Sequence, residues 1–115
     1  MKTDRELLEA AAKAAGVEGK WHEQARAYAA PTGWLMPNGR TWNPLADDGD
    51  ALRLFCALPW MCIETSDVGV TVRERVQSRP SRVLLMWTEW LELYNGDTEA
   101  ATRRAIVRAA AAMVE

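Results

Sequence analysis

Four arginines are the residues of this sequence whose types and spacing suggest chemistry most directly. Arg73, Arg75, Arg79 and Arg82 fall within one polar segment, 73–82. Guanidinium groups pair with phosphate or carboxylate through two hydrogen bonds at once, and they stack on flat rings. The ordinary interpretation of such a segment is a solvated loop. The functional hypothesis is a binding site for an anion.

Tryptophan is the second unusual feature, with six in 115 residues. Most tryptophans are expected in the core, because each buries a large ring. We expect Trp34 and Trp42, which flank a short hairpin, to be partly exposed. An exposed indole beside the arginine segment could hold a base or a nucleotide. Trp34 and Trp42 therefore join the four arginines as candidate ligand- or partner-binding residues.

No motif for catalysis or metal binding accompanies these residues. His22 is the only histidine, and no serine or cysteine stands near it at a motif spacing. The acidic run at 47–50 lacks the spaced ligands of a calcium loop, and helix capping accounts for its carboxylates. Cys56 and Cys62 are expected to be small buried apolar side chains rather than a disulfide or a metal pair. The sequence therefore predicts a protein that is not an enzyme and needs no cofactor or metal.

The two terminal helices are predicted from their caps. Thr3 and Glu6 form a capping box for a helix over 4–15, and Gly16 suits its left-handed end. The last helix begins at residue 97 or 98 and runs to the C-terminus. Glu99 is placed to pair with Arg103 four residues on. We expect its other arginines, Arg104 and Arg108, to be exposed, because they lie off its apolar stripe.

A central helix is predicted between two groups of strands. Asn43 can cap its free N–H groups, and Pro44 suits a first helical position because it has no N–H. Pro59 ends the helix. Its apolar face is predicted to comprise Leu45, Leu52, Phe55 and Leu58.

The strands are predicted around these helices. Residues 17–42 contain strands, of which 33–42 form a hairpin with a two-residue turn at Asn38-Gly39, so that Leu35 faces Trp42. Strands follow at 60–65 and at 68–72, where valines alternate with polar residues or glycine. Segment 83–94 also fits a helical period, but the alternation after Trp90 favours a strand with a bulge. The prediction is one α+β domain over 1–115, with three helices and a small, mainly antiparallel sheet.

Composition limits the class of protein further. A net charge of −2 argues against general binding to nucleic acid. The N-terminus does not resemble a signal peptide, and no apolar run approaches the roughly 20 residues of a membrane-spanning helix. We therefore expect a cytoplasmic protein.

Three blocks of the sequence, 3–16, 42–54 and 97–111, together resemble small proteins encoded by tailed phages and prophages. The pattern is similar to the phage ABA sandwich domain. That family has a helix–sheet–helix layering, and it has no assigned activity and no catalytic residues. The resemblance implies a phage origin, action in the host cytoplasm and a sandwich fold, but it carries over no site.

Three functional hypotheses follow. The first is a non-catalytic phage or prophage accessory protein that binds a host protein or a small anionic ligand, including a nucleotide signal of host defence. The second is a module that self-associates through a sheet edge or its alanine-rich helices into a homo-oligomer. The third is a cryptic enzyme, which would need a pocket lined by convergent titratable groups.

Overall fold

The computed structural model describes residues 2–23, 32–74 and 86–114. In that part of the chain the helices are α1 (Asp4–Ala15), α2 (Asp48–Ala57) and α3 (Thr98–Ala112). The strands are β1 (Lys20–His22), β2 (Gly33–Leu35), β3 (Thr41–Trp42), β4 (Met61–Thr65), β5 (Gly69–Glu74) and β6 (Met86–Trp90). A short 3₁₀ helix, Leu91–Tyr94, follows β6. The predicted α+β class, with its N-terminal, central and C-terminal helices and antiparallel strands, is confirmed.

The described strands form two antiparallel sheets, with the orders β1-β2-β3 and β4-β5-β6. In the second sheet, Val70 and Val72 of β5 are fully buried on one side, as the alternation predicted, whereas Val68 precedes the strand and is 58% exposed. Their neighbours in register on β6 are Glu89 and Trp87. Because side chains opposite each other in a sheet share a face, Glu89 and Trp87 also point toward the interior.

Helix α3 is the central element of the described fold. It packs against α1, α2, β5 and β6. A helix in contact with neighbours on several sides must be apolar around most of its circumference. The buried residues of α3 are Ala101, Ala105, Ile106, Val107, Ala109, Ala110 and Ala111.

Helix α1 has the predicted ends. The side chain of Thr3 accepts a hydrogen bond from the backbone N–H of Glu6, and the Glu6 side chain accepts one from the backbone of Thr3. That hydrogen bond from the Thr3 backbone lowers the pKa of Glu6. Gly16 takes the left-handed conformation at φ 71°. These contacts are local, which is why the sequence was sufficient to predict them.

Helix α2 begins later than predicted. Asp47 is its N-cap and accepts from the backbone N–H of Asp50 at 2.8 Å. Asn43 instead caps a separate turn, where its side chain accepts from the N–H of Leu45 at 3.1 Å. Asp50 is buried and accepts from the N–H of Asn43 at 2.9 Å, which joins the turn to the helix.

The predicted apolar face of α2 is wrong at one position, Leu52, which is 61% exposed. Leu58 is buried, and Leu45 and Phe55 are partly buried against the core, as predicted. The other buried apolar residues of the helix are Ala51 and Leu54.

The β2–β3 hairpin has a different register from the predicted one. Trp34 lies opposite Trp42, and Leu35 lies opposite Thr41. The predicted pairing of Leu35 with Trp42 is therefore wrong by one residue. A shift of one residue exchanges the two faces of a strand, so it also decides which side chains enter the core.

The loop chemistry explains the shift. The N–H of Met36 donates to the carbonyl of Arg40 at 2.9 Å, so the loop between them has three residues rather than two. Pro37 suits the second position of a type I turn. Gly39 has φ 85°, and Asn38 does not have the positive φ that a type I′ turn needs at both central residues.

Segment 83–94 is not one continuous strand. Of its described part, β6 ends at Trp90, and Leu91–Tyr94 form the 3₁₀ helix, so the prediction of a strand to Tyr94 is wrong. Asn95 then takes a left-handed conformation at φ 52° before Asp97 caps α3. The alternation over 90–94 gave a wrong prediction because α3 begins close to the end of β6. The residues between them must therefore form a compact connection and not an extended strand.

Candidate binding pocket beside strand β6

The structure gives the predicted arginine cluster a different setting. Arg73 lies on β5, not at the start of a loop, and its Nε and Nη2 atoms bind Oε1 of Glu64 on β4 at 2.6 and 2.5 Å. Its guanidinium is therefore already paired with a carboxylate. The other three predicted residues lie outside the described residues, so their role stays a prediction: Arg75, Arg79 and Arg82.

Trp34 and Trp42 are buried, and the expectation of partial exposure is wrong. Their exposed fractions are 9% and 4%. They face each other across β2 and β3, and β2 packs against α1. The sequence predicts a hairpin at the edge of a sheet with these rings partly exposed, whereas in the structure α1 packs against β2. Neither ring lies at the surface.

A pocket lies instead between β6, the 3₁₀ helix, α3 and the N-terminal end of α1. It encloses about 650 Å³. Its strand side consists of the four consecutive residues 87–90, and its floor includes Arg104, Arg108 and Ala111 of α3. We call it the β6 pocket.

A buried carboxylate forms the centre of this pocket. Glu89 is 5% exposed. Its Oε1 accepts from the hydroxyl of Tyr94 at 2.5 Å, and its Oε2 is bound by Nη1 of Arg108. A carboxylate can be buried only when its charge and lone pairs are satisfied. Here the arginine supplies the counter-charge, and each carboxylate oxygen accepts one hydrogen bond.

Tyr94 is held in its neutral form by this arrangement. Burial raises the pKa of Tyr94 to about 12, and the hydrogen bond to Glu89 acts in the same direction. Ionised, the phenol would place a second negative charge next to Glu89. At neutral pH Tyr94 is therefore a hydrogen-bond donor and not a base.

Positive charge exceeds negative charge on the pocket wall. Lys2, Arg104 and Arg108 line it, with Glu89 as the single anionic lining residue among the described ones. Arg104 and Arg108 are four residues apart on α3, so they lie on the same side of the helix. Nη2 of Arg104 binds Asp4 of α1 at 3.0 Å.

Aromatic and apolar side chains surround the opening. Trp90 is 52% exposed and Leu93 is 72% exposed, and both line the pocket. Trp87 lies deeper and contacts Trp60 in a tilted arrangement, with ring centroids 6.3 Å apart. The exposed tryptophan that the sequence led us to expect in the hairpin is therefore on β6.

The β6 pocket was not predicted from the sequence, although several of the residues that line it were noted there. Arg108 is exposed as predicted, and Arg104 is half-buried. Arg103 does not pair with Glu99; its Nη1 binds Asp48 at 2.5 Å and its Nε donates to the carbonyl of Leu45 at 2.9 Å. The available signal was the spacing of Arg104 and Arg108 off the apolar stripe, but their partners are distant in sequence.

Other predicted features have no site around them. In the described ranges, no three of the histidine, cysteine, aspartate and glutamate side chains are grouped to hold a metal ion. His22 is half-buried on β1. Cys56 is exposed, contrary to the expectation of a buried side chain, and Cys62 is partly buried; both are free thiols.

The comparisons with known proteins add no relative. No known protein family, no curated protein and no solved structure matches this chain. Within the described residues, none of the helices has both the length and the apolar character to cross a membrane. The geometry of the β6 pocket is therefore the basis for proposing a function.

Proposed function

We propose that this protein is a non-catalytic binding protein that holds an anionic ligand, or an acidic part of a partner protein, in the β6 pocket. One observation carries the proposal: among the described residues, the pocket wall has three cationic side chains and one carboxylate, Glu89, both of whose oxygens already accept a hydrogen bond. Arg104 binds Asp4 and Arg108 binds Glu89, but each guanidinium has five N–H donors and keeps some of them for a further anion. Trp90 at the opening can cover a flat or apolar part of the ligand.

The chemistry of Glu89 and Tyr94 favours binding over catalysis. A general base needs a free lone pair at the reacting atom. Each oxygen of Glu89 already accepts a hydrogen bond and its charge is matched by Arg108, which makes it a weaker base, and Tyr94 stays protonated well above neutral pH. The pocket contains convergent titratable groups, as the enzyme hypothesis required, but they bind each other.

Self-association through the alanine-rich helices has less support. Alanines of α1 and α3 such as Ala11 and Ala105 are fully buried, and the two helices pack against each other within the chain. Those faces are therefore not available to a second copy. Light scattering at high concentration tests the homo-oligomer hypothesis directly.

We propose that the protein is a phage or prophage accessory protein that acts in the host cytoplasm. Counter-defence is one role that such a protein can have. The resemblance of segments 3–16, 42–54 and 97–111 to small phage-encoded proteins supports this setting. Neighbouring genes for replication, virion structure or counter-defence would test it.

Calorimetric titration tests the binding function. The probes are linear and cyclic nucleotides, inorganic pyrophosphate and acidic peptides, each at low and high salt. We expect at least one probe to bind, and its affinity to fall about tenfold in Arg104→Glu and with added salt. Arg40→Glu is the charge-matched control, because Arg40 is exposed on the β2–β3 loop and does not line the β6 pocket. Binding by no probe, or equal binding by both variants, would contradict the proposal.

A further inference from the structure

The outer edge of β6 has an unpaired row of backbone groups among the described residues. In the described sheet β6 pairs with β5 alone. The N–H of Leu91 donates to the carbonyl of Val68 at 3.0 Å, which fixes the phase of the ladder. Hydrogen-bonded and non-bonded pairs alternate in an antiparallel ladder. Glu89 therefore bonds toward β5, whereas the backbone N–H and C=O groups of Thr88 and Trp90 point away from it.

The β6 pocket runs along this edge. Residues 87–90 all line it, although their side chains alternate between the two faces of the sheet. A cavity confined to one face would meet the side chain of only every second residue. Lining by four consecutive residues agrees with a cavity that reaches the strand edge, where the outward backbone groups of Thr88 and Trp90 lie.

The charges on the floor select for an acidic occupant. Arg104 and Arg108 rise from α3 below the edge, and Lys2 lies at the end of α1. The described contacts use Nη2 of Arg104 and Nη1 of Arg108. A guanidinium has five N–H donors, so each arginine keeps donors for a second carboxylate. The small side chains of Ala111 and Ala112 leave room above the helix.

We propose that the partner of the β6 pocket is an extended, acidic segment of another protein, which adds as a strand to the edge of β6. This inference rests on the proposed function and specifies the class of ligand. Backbone groups of the segment bond to those of Thr88 and Trp90. On the side that faces α3, its aspartate or glutamate side chains meet Arg104 and Lys2. On the other side, apolar residues contact Trp90.

The charge pattern sets the order of residues in the segment. Side chains of an added strand alternate, so residues at every second position face α3 together. The one opposite Glu89 is best uncharged, because like charges facing each other across strands are unfavourable. The acidic residues therefore lie on either side of it, four positions apart. Main-chain bonds supply affinity in this mode of recognition, and the alternate side chains supply specificity.

A peptide library on beads tests this inference with the full-length protein. The peptides have about eight residues, longer than a typical strand. Aspartate or glutamate is fixed at two positions four residues apart, an uncharged residue is fixed midway between them, and the others are random. The matched library has lysine in place of the two acidic residues. We expect labelled protein to bind the acidic library about tenfold more than the lysine library, and Arg104→Glu but not Arg40→Glu to lose the difference.

Strand addition is then separated from simple charge attraction with one selected peptide. N-methylation of its alternate amides removes the backbone donors and leaves the charges. We expect at least about a tenfold loss of affinity, since two or more hydrogen bonds are lost. Hydrogen exchange should show new protection at the amides of Thr88 and Trp90. The control is the same peptide methylated on the other set of alternate amides, which face away from β6.

The outcomes separate the two proposals. Equal binding of the methylated peptide, or unchanged exchange at Thr88 and Trp90, would overturn strand addition. Binding of a nucleotide or of pyrophosphate in the pocket, with equal binding of the acidic and lysine libraries, would also overturn it but would leave the anion-binding function standing. If no anionic probe of any kind binds, both proposals fail.

Discussion

The two sides of helix α3 differ in what they contact and in what they can do. On its buried side, where the helix packs against elements such as α1, it has small residues such as Ala105, which is fully buried. On the other side, Arg104 and Arg108 line a pocket of about 650 Å³. Small side chains allow two helices to approach closely and leave no space for a ligand. One helix therefore supplies both a closely packed apolar side and part of a polar pocket wall.

The residues of α3 that stabilise the fold are therefore separate from those that can bind a ligand. The side toward α1 depends on volume, because added atoms have nowhere to go. The pocket side depends on charge pairing, because Glu89 is buried and Arg108 is not. Substitutions on the two sides should therefore fail for different reasons and by different amounts.

The largest effect is expected from Ala105→Leu. The added side chain must enter a site with no exposed surface, which should destabilise the protein by about 3 kcal/mol. Urea unfolding followed by far-ultraviolet circular dichroism measures this. Ala112→Leu is the matched control, since Ala112 is partly exposed and lines the pocket; its cost should be below about 1 kcal/mol. Equal costs at the two positions would contradict the distinction between the two sides.

Arg108→Ala should have the next largest effect. It removes the cation from a carboxylate that is 6% exposed, and we expect a loss of about 2 kcal/mol. This is less than for a fully buried pair, because Arg108 is itself 45% exposed. Adding Glu89→Gln to this variant should recover part of the loss, since the neutral amide needs no counter-charge. Failure of the double variant to recover would indicate that Arg108 acts through packing alone.

Tyr94→Phe should cost about 1–2 kcal/mol, because it leaves one oxygen of the buried Glu89 without its donor. The variant should also change the pH dependence of unfolding. A tyrosine pKa raised from 10 to about 12 gives stability that is fully present below pH 10. That contribution is lost as the pH rises through about 12. Wild type should therefore lose more stability than Tyr94→Phe between these pH values, and parallel curves would contradict the raised pKa.

Trp90→Ala should have the smallest effect on unfolding, below about 1 kcal/mol, because the side chain is half exposed. It should nevertheless remove the tryptophan fluorescence that acrylamide quenches most readily. The control is Trp42→Phe at a buried position, where quenching of the remaining fluorescence should stay as efficient as in wild type. An unchanged quenching profile in Trp90→Ala would place the accessible indole elsewhere.

Most of the secondary structure could be predicted because its signals are local. The capping box of Thr3 and Glu6, the helix over 98–112 and the valine alternation on β5 each depend on residues within a few positions of one another. The errors occurred where two local signals competed. Asn38-Gly39 suggested a two-residue turn, but Pro37 suited the longer loop that the structure has.

The candidate site could not be predicted to the same extent. Glu89 lies 19 residues from Arg108, and Asp4 lies 100 residues from Arg104. No periodicity in the sequence links such residues. The sequence drew attention to Trp34 and Trp42 instead, because short hairpins are often exposed, and contact with α1 reversed that expectation.

By itself, the sequence determined the class of fold, the two terminal helices and a surplus of arginine and tryptophan. The tertiary structure decided which of the arginines and tryptophans line a cavity, and which are buried in the core or paired with carboxylates. The physical reason is that caps and alternation arise from neighbouring bonds, whereas burial and charge pairing arise from how α3 lies across β5 and β6.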